Sequence, residues 1–307
     1  MRTNNIKGSL ILITAALIWG LAFVAQSGAA ALVPPFTFNA LRSFIGAAAL
    51  YIFYIFTNAK QKTPFFPAEK RERKSHILGG LICGICLAIS INFQQFGIAF
   101  YPKGVASEAR AGFITALYVI LVPIFSLFSK KKIHPAVWLG VVIAVIGIYM
   151  LCFSGGISGI YLADVLVFLC AISFTTHIMA VDKFVSLTGG VKLSIMQFII
   201  AGAISLLLGV IFEFSHLQIS NIISAAPQIL YLGIMSSGVA YTLQIVGQKY
   251  AEPAVASITM SLESVFAALG GWLISGNSLS GREILGCSLV FIAIIAAQAG
   301  DFKKQQA

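Results

Sequence analysis

Ten apolar segments, each about as long as one bilayer crossing, most strongly limit how this chain can fold. A helix that crosses a bilayer needs about 20 mostly apolar residues. The chain is 59% hydrophobic and only 10% charged, whereas water-soluble domains have about 25% charged residues. The sequence therefore predicts an all-α integral membrane protein with ten transmembrane helices. The predicted spans are 8–30, 36–57, 76–98, 105–128, 135–153, 161–181, 193–213, 227–248, 254–275 and 283–299.

The distribution of the 20 Lys and Arg residues predicts the orientation of the chain in the membrane. All except Arg42, Lys103, Arg110 and Arg282 fall on one side of the predicted spans. Loops rich in Lys and Arg stay in the cytoplasm, so we expect both termini to be cytoplasmic and the protein to lie in the cytoplasmic (inner) membrane. The net charge of +10 is divided among short clusters between apolar segments, which indicates membrane topology and not nucleic-acid binding.

A Gly- and Ser-rich stretch at 154–159 divides the ten spans into five and five. We expect one membrane domain made of two five-helix repeats, residues 1–153 and residues 154–307. An odd number of spans per repeat places homologous repeats in opposite orientations, as in many secondary transporters whose substrate site lies between the repeats near the midplane. A shift of 150 residues pairs Gln94 with Gln244 and supports the repeat weakly.

Three short motifs resemble one family of transporters. Residues 15–23 (AALIWGLAF), 110–118 (RAGFITALY) and 261–272 (SLESVFAALGGW) resemble spans 1, 4 and 9 of EamA-type members of the drug/metabolite transporter superfamily. The resemblance covers essentially the whole chain and implies ten spans in two inverted repeats around a central cavity, lined by helices 1, 3, 4, 6, 8 and 9. Family members often have Pro where this chain has Ser264, and the loss of Pro predicts a straighter span 9.

Glu263 is the ionisable residue predicted to lie deepest in the membrane, about ten residues into span 9. Ionisable groups inside a bilayer are costly and usually face the bundle interior or a cavity. Two interpretations remain open. Glu263 is either a neutral side chain hydrogen-bonded to a neighbouring helix or a carboxylate that contacts substrate or carries protons.

Three charged residues are predicted in the external third of the membrane. Arg42 lies about six residues into span 2, and Glu108 and Arg110 lie in the first two turns of span 4. Glu108 and Arg110 are two positions apart and so do not face each other on a helix. Either Glu108 pairs with Arg42, or Glu108 and Arg110 reach the lipid headgroups separately. A third interpretation is a vestibule in which Arg110, Arg42 and Lys103 attract carboxylate or phosphate groups.

The remaining candidate site residues are polar or aromatic side chains within predicted spans. His177 in span 6 is either a helix contact or a proton relay. The amides either hold neighbouring helices together or line a polar cavity, and the resemblance favours the cavity for some of them. The aromatic residues are candidates for the cavity's aromatic wall. These candidates are Gln94, Gln95, Gln244, Trp19, Tyr118 and Tyr241.

Several enzyme signatures are absent from the sequence. It contains no P-loop, dinucleotide-binding glycine motif, HExxH motif, metal-spaced His/Cys/acid cluster or nucleophile elbow. The Cys83–Cys86 pair lies inside span 3, where we expect helix packing and not redox chemistry. We therefore expect no catalytic residues, no metal and no cofactor, and the protein is not expected to be an enzyme.

The predicted function is a secondary transporter that moves a small polar metabolite, an amino acid or a related compound, across the cytoplasmic membrane by alternating access. Export is the expected direction, although no residue determines it. The alternatives are drug efflux, transport of a lipid-linked substrate, and a non-transporting membrane receptor. The expected partners are the substrate and the bilayer, with protons as a candidate coupling ion and either a monomer or a homodimer as the assembly.

Overall fold

The computed structural model describes residues 2–58, 64–102, 107–128, 133–152, 160–275 and 280–306. Within these ranges, the side chains of residues 2–6, 108–109, 151–152, 216, 270–275 and 298–306 lie outside the description. The described residues are almost entirely helical and contain no β-strand. The prediction of an all-α protein is confirmed.

The chain order of the helices follows the apolar segments closely. A 3₁₀ turn at Phe214–His216 follows α8, and a π-helix at Leu232–Ala240 separates α10 from α11. The α-helices are α1 (Arg2–Ala30), α2 (Pro35–Asn58), α3 (Lys70–Phe100), α4 (Ser107–Ala116), α5 (Tyr118–Phe128), α6 (Pro135–Cys152), α7 (Leu162–Thr188), α8 (Gly190–Phe212), α9 (Ile219–Ser224), α10 (Ala226–Tyr231), α11 (Tyr241–Gly247), α12 (Pro253–Met260), α13 (Leu262–Ser275) and α14 (Gly281–Gln306).

Seven helical stretches of the described chain are long and apolar enough to cross a membrane, judged by length and composition. Two shorter apolar helices, Pro135–Met150 and Pro253–Leu269, coincide with the fifth and ninth predicted spans. The tenth predicted span falls on α14. The seven stretches are Lys7–Ala30, Pro35–Asn58, Lys70–Phe100, Arg110–Phe128, Leu162–Thr188, Gly190–Phe212 and Ala226–Gly247.

Three of the apolar segments are interrupted partway along their length. The fourth segment breaks at Leu117, where the backbone N–H of Ile120 donates to the Leu117 carbonyl in a tighter turn at 2.9 Å. The ninth breaks at Ser261, whose hydroxyl donates to the Ile258 carbonyl at 2.7 Å. The straighter span 9 expected from the loss of Pro stays a prediction. A serine hydroxyl that competes for backbone carbonyls also disturbs a helix. The eighth contains the π-helix.

Helices from the two halves of the chain pack mainly on each other. The most extensive contacts join α3 to α7 and α8, α2 to α8, α6 to α14, and α1 to α13. Glycines permit the close approach: an added Cβ at Gly80 would lie 2.6 Å from Met196 Cε, and one at Gly84 would lie 2.6 Å from Ile200 Cβ. Small residues at such contacts are typical of membrane helices. The two halves therefore share their core, as one membrane domain requires.

Replacing Gly20 by alanine should destabilise the protein by about 1–3 kcal/mol, because the added methyl overpacks the contact between α1 and α13. Its Cβ would lie 2.7 Å from the Glu263 carbonyl oxygen and 2.7 Å from the Ala267 backbone nitrogen. Gly112→Ala is the matched control, since a Cβ there meets nothing within 4 Å. Thermal unfolding of the purified variants measures the difference, and equal melting temperatures would contradict this packing.

Candidate substrate-binding cavity

A cavity lies between helices from both halves of the chain. Helices α1, α2, α3, α4 and α5 from the first half contribute to its lining, and so do α7, the π-helix, α11, α12 and α13 from the second half. Seven of the candidate residues line it: Trp19, Arg42, Gln94, Tyr118, Tyr241, Gln244 and Glu263.

The helix interruptions lie next to the central acidic side chain of the cavity. Tyr118 is the first residue of α5, after the break at Leu117, and Glu263 is the second residue of α13, after the break at Ser261. The Tyr118 hydroxyl donates to Glu263 Oε1 at 3.0 Å. Only 5% of Glu263 is exposed. Interrupted helices at a central site are a recurring feature of secondary transporters.

Arg42 lies in the lining of the same cavity with 1% of its surface exposed. Its guanidinium carbon is 5.8 Å from the centre of the Phe38 ring. Nε and Nη1 are buried without a hydrogen-bond partner among the described residues. A buried charge is normally paired, so this arginine is exceptional within the described part of the chain.

Aromatic side chains form much of the remaining lining. The rings of Trp19 and Tyr241 meet edge to face with their centroids 4.8 Å apart, and Phe198 packs on Tyr241 from behind at 5.3 Å. Phe23 and Phe174 also line the cavity and were not predicted as site residues. Trp19 Nε1 is a buried donor without a partner among the described residues. The lining therefore combines an apolar surface with a few polar groups.

Two of the candidate glutamines line the cavity, and a third joins neighbouring helices. Gln94 lines the cavity and its amide nitrogen is 3.3 Å from Thr115 Oγ1. Gln244 also lines it and donates to Gln248 at 3.2 Å. Gln95 is fully buried outside the lining, where its amide donates to the Gln26 carbonyl of α1 at 3.3 Å. Gln95 therefore joins two helices.

His177 is fully buried but does not line the cavity. Its Nε2 lies 2.9 Å from Gln197 Oε1, which connects α7 to α8. The ring is also 6.2 Å from that of Tyr241. His177 therefore joins two helices outside the cavity lining.

Arg110 does not line the cavity that contains Arg42. Its Nε donates to Asp164 Oδ1 and its Nη2 donates to Asp164 Oδ2, both at 2.7 Å. The Tyr101 hydroxyl donates to the same carboxylate at 2.7 Å, and the Tyr161 backbone N–H donates at 2.8 Å. The vestibule of Arg110, Arg42 and Lys103 stays a prediction, and the structure adds that Arg110 is paired with a carboxylate on α7.

The side chain of Glu108 and all of Lys103 lie outside the described residues. Asp164 was not among the site residues predicted from the sequence, although the sequence contains a signal for it. An arginine inside a membrane needs an acidic partner at the same depth on a neighbouring helix. Asp164 lies near the predicted external end of span 6 and meets that requirement for Arg110.

A bundle of apolar helices around a central, partly polar cavity is the architecture of a membrane transporter. A family model described as the EamA-like transporter family matches residues 6–153 and 161–297. The chain belongs to this family, within the drug/metabolite transporter superfamily, and it is an integral membrane transporter of a small molecule. The resemblance found in the sequence is confirmed.

Relatives of similar length carry transporter names. The chain is 27% identical to an uncharacterized transporter from Archaeoglobus fulgidus, over 95% of this chain and 86% of that protein. It is 24% identical to the uncharacterized transporter YoaV of Bacillus subtilis, over 94% and 96% of the two chains. It is also 24% identical to the uncharacterized inner membrane transporter YedA of Escherichia coli K12, over 93% and 89%.

A protein of known crystal structure has a similar fold, with a TM-score of 0.75 and 21% sequence identity. The alignment covers 95% of this chain and 96% of that one. At this identity the similarity establishes the fold alone.

Proposed function

We propose that this protein is a secondary transporter that exports a small polar metabolite, an amino acid or a related compound, across the cytoplasmic membrane by alternating access. The observation that carries the proposal is the central cavity, whose lining includes both Arg42 and Glu263 and comes from both halves of the chain. A site that binds a polar metabolite combines an apolar surface with a few placed polar groups. Glu263 is the candidate for substrate contact or proton coupling.

Two inverted repeats of five spans, 1–153 and 154–307, form the scaffold of the proposed mechanism. The family model supports this division because it matches two segments, although the boundary at 153–159 lies outside the described residues. The breaks at Leu117 and Ser261 support it too, since they occur in the fourth span of each repeat and place Tyr118 against Glu263. Rocking of one repeat against the other would expose the cavity alternately to each side.

Transport by purified protein in liposomes tests the proposal. Proteoliposomes loaded with a mixture of radiolabelled amino acids should lose at least one of them faster than protein-free liposomes. A proton gradient imposed in either direction should change the rate if Glu263 couples transport to protons. The absence of transport for every compound, in vesicles that contain folded protein, would overturn the proposal and favour a receptor.

Drug efflux remains the second candidate because five aromatic side chains line the cavity: Trp19, Phe23, Tyr118, Phe174 and Tyr241. Aromatic faces bind large apolar cations well. Faster export of a lipophilic cation than of any amino acid from the same proteoliposomes would favour this alternative.

A further inference from the structure

Arg42 is the side chain whose environment the fold alone does not explain. It is almost completely buried, yet it makes no ion pair with the described residues, and its Nε and Nη1 have no hydrogen-bond partner among them. An uncompensated buried charge is strongly unfavourable, because the surroundings do not replace the lost hydration. Among the described residues nothing supplies its counter-charge, and its position in the lining directs it toward the cavity.

Three acidic side chains in the described part of the chain have other partners. Asp164 is bound to Arg110. Glu213 accepts hydrogen bonds from the backbone N–H groups of Phe36 and Thr37 at 2.8 Å and 2.7 Å, at the start of the helix that carries Arg42. Glu263 accepts from Tyr118 and does not come within ion-pair distance of Arg42. Arg42 thus faces the cavity without a counter-charge among the described residues.

Arg42 and Glu263 share one cavity without forming an ion pair with each other. Tyr241 also lines this cavity. A guanidinium presents a planar fork of donors that matches a carboxylate. Trp19 Nε1 adds a further buried donor without a partner in the described lining.

We propose that Arg42 binds the carboxylate of the transported substrate, while Glu263 faces the ammonium group of the same molecule. The proposal rests on the transport function proposed above and narrows its substrate class to compounds that carry a carboxylate. In this proposal a residue of α2 binds the carboxylate. A site that binds purely cationic drugs would not need this residue.

Stability without ligand gives the first test. Arg42→Met keeps the apolar stem but removes the unpaired charge, so the ligand-free variant should melt at the same temperature as the wild type or higher. Arg110→Met is the matched comparison, since it leaves Asp164 buried without its partner and should lower the melting temperature by about 5 °C or more. A melting temperature for Arg42→Met that falls as far as that of Arg110→Met would indicate a structural arginine and overturn the proposal.

Binding gives the second test, with the full-length protein and a panel of common amino acids, their amides and their decarboxylated amines. A ligand that binds the folded state raises its melting temperature. We expect at least one amino acid to do so, its amide and amine not to, and Arg42→Gln to weaken that binding by about 100-fold or more. Arg42→Lys should retain part of the affinity, because it keeps the charge without the fork.

The outcomes separate the two proposals. If amines or amides bind and are transported as well as the amino acids, or if Arg42→Gln binds like the wild type, the assignment of Arg42 fails while the transport function stands. If binding depends on the carboxylate and on Arg42 but proteoliposomes move no member of the panel, the assignment stands and the transport function fails.

Discussion

Replacing Glu263 by glutamine is expected to lower transport by about 100-fold while the protein still folds and inserts. Glutamine preserves the size of the side chain and an oxygen that can accept the hydrogen bond of the Tyr118 hydroxyl. It removes the negative charge, and with it the charge-assisted contact to an ammonium group or the capacity to carry a proton. The rate of substrate release from proteoliposomes, normalised to the amount of inserted protein, measures the effect.

Glu72→Gln is the control for this experiment. Glu72 lies exposed in the first turn of α3, away from the cavity lining, so its replacement should leave the rate unchanged. Normal transport by Glu263→Gln would show that the carboxylate serves only the packing of α5 against α13. If Glu263→Gln instead reduced the amount of folded protein in the membrane, the carboxylate would be required for folding.

Replacing Asp164 by asparagine is expected to destabilise the protein by about 3–5 kcal/mol, the usual cost of removing one partner from a buried ion pair. The Arg110 and Asp164 side chains are 8% and 10% exposed, and the Arg110 guanidinium carbon also lies 4.7 Å from the centre of the Tyr161 ring. The variant therefore leaves a buried guanidinium without its counter-charge. Thermal unfolding in detergent, followed by circular dichroism, measures the loss.

Two further variants make this prediction specific. Tyr101→Phe removes a single hydrogen bond to Asp164 and should cost only about 1 kcal/mol. The double variant Arg110→Met with Asp164→Leu removes both charges and should recover much of the stability that either single change loses. An Asp164→Asn protein that melts like the wild type would mean that the pair contributes nothing to the folded state.

The helices of this protein could be predicted from sequence because each requires only a local property, an apolar stretch of the right length. The partner of Arg110 could be predicted only in part: the sequence places Asp164 at a similar depth, but the pairing also depends on which spans are neighbours. The sequence identifies Arg110 as a charge near the external surface, and only the packing of α4 on α7 reveals Asp164 beside it.

The sequence predicts which types of residue form the candidate site. It does not predict which of them face the cavity. Polar and aromatic residues within apolar spans are visible in the sequence, and Trp19, Tyr118 and Glu263 were selected in this way. Whether a residue faces the cavity depends on helix rotation, which separates Gln94 in the lining from Gln95 behind it. The break at Ser261 was not predicted because no proline accompanies it.

The π-helix at Leu232–Ala240 lies in the eighth apolar segment. The number of residues in this segment determines which side chains face the cavity. Ser236 within the π-helix and Tyr241 and Gln244 after it all face the cavity. In a regular helix each residue turns the chain by about 100°, so one deletion upstream of Tyr241 would carry the two later side chains around the axis. The segment acts as a spacer of fixed length. A relative with one residue fewer between 232 and 240 should therefore have different side chains facing the cavity, even where it keeps the residues equivalent to Tyr241 and Gln244.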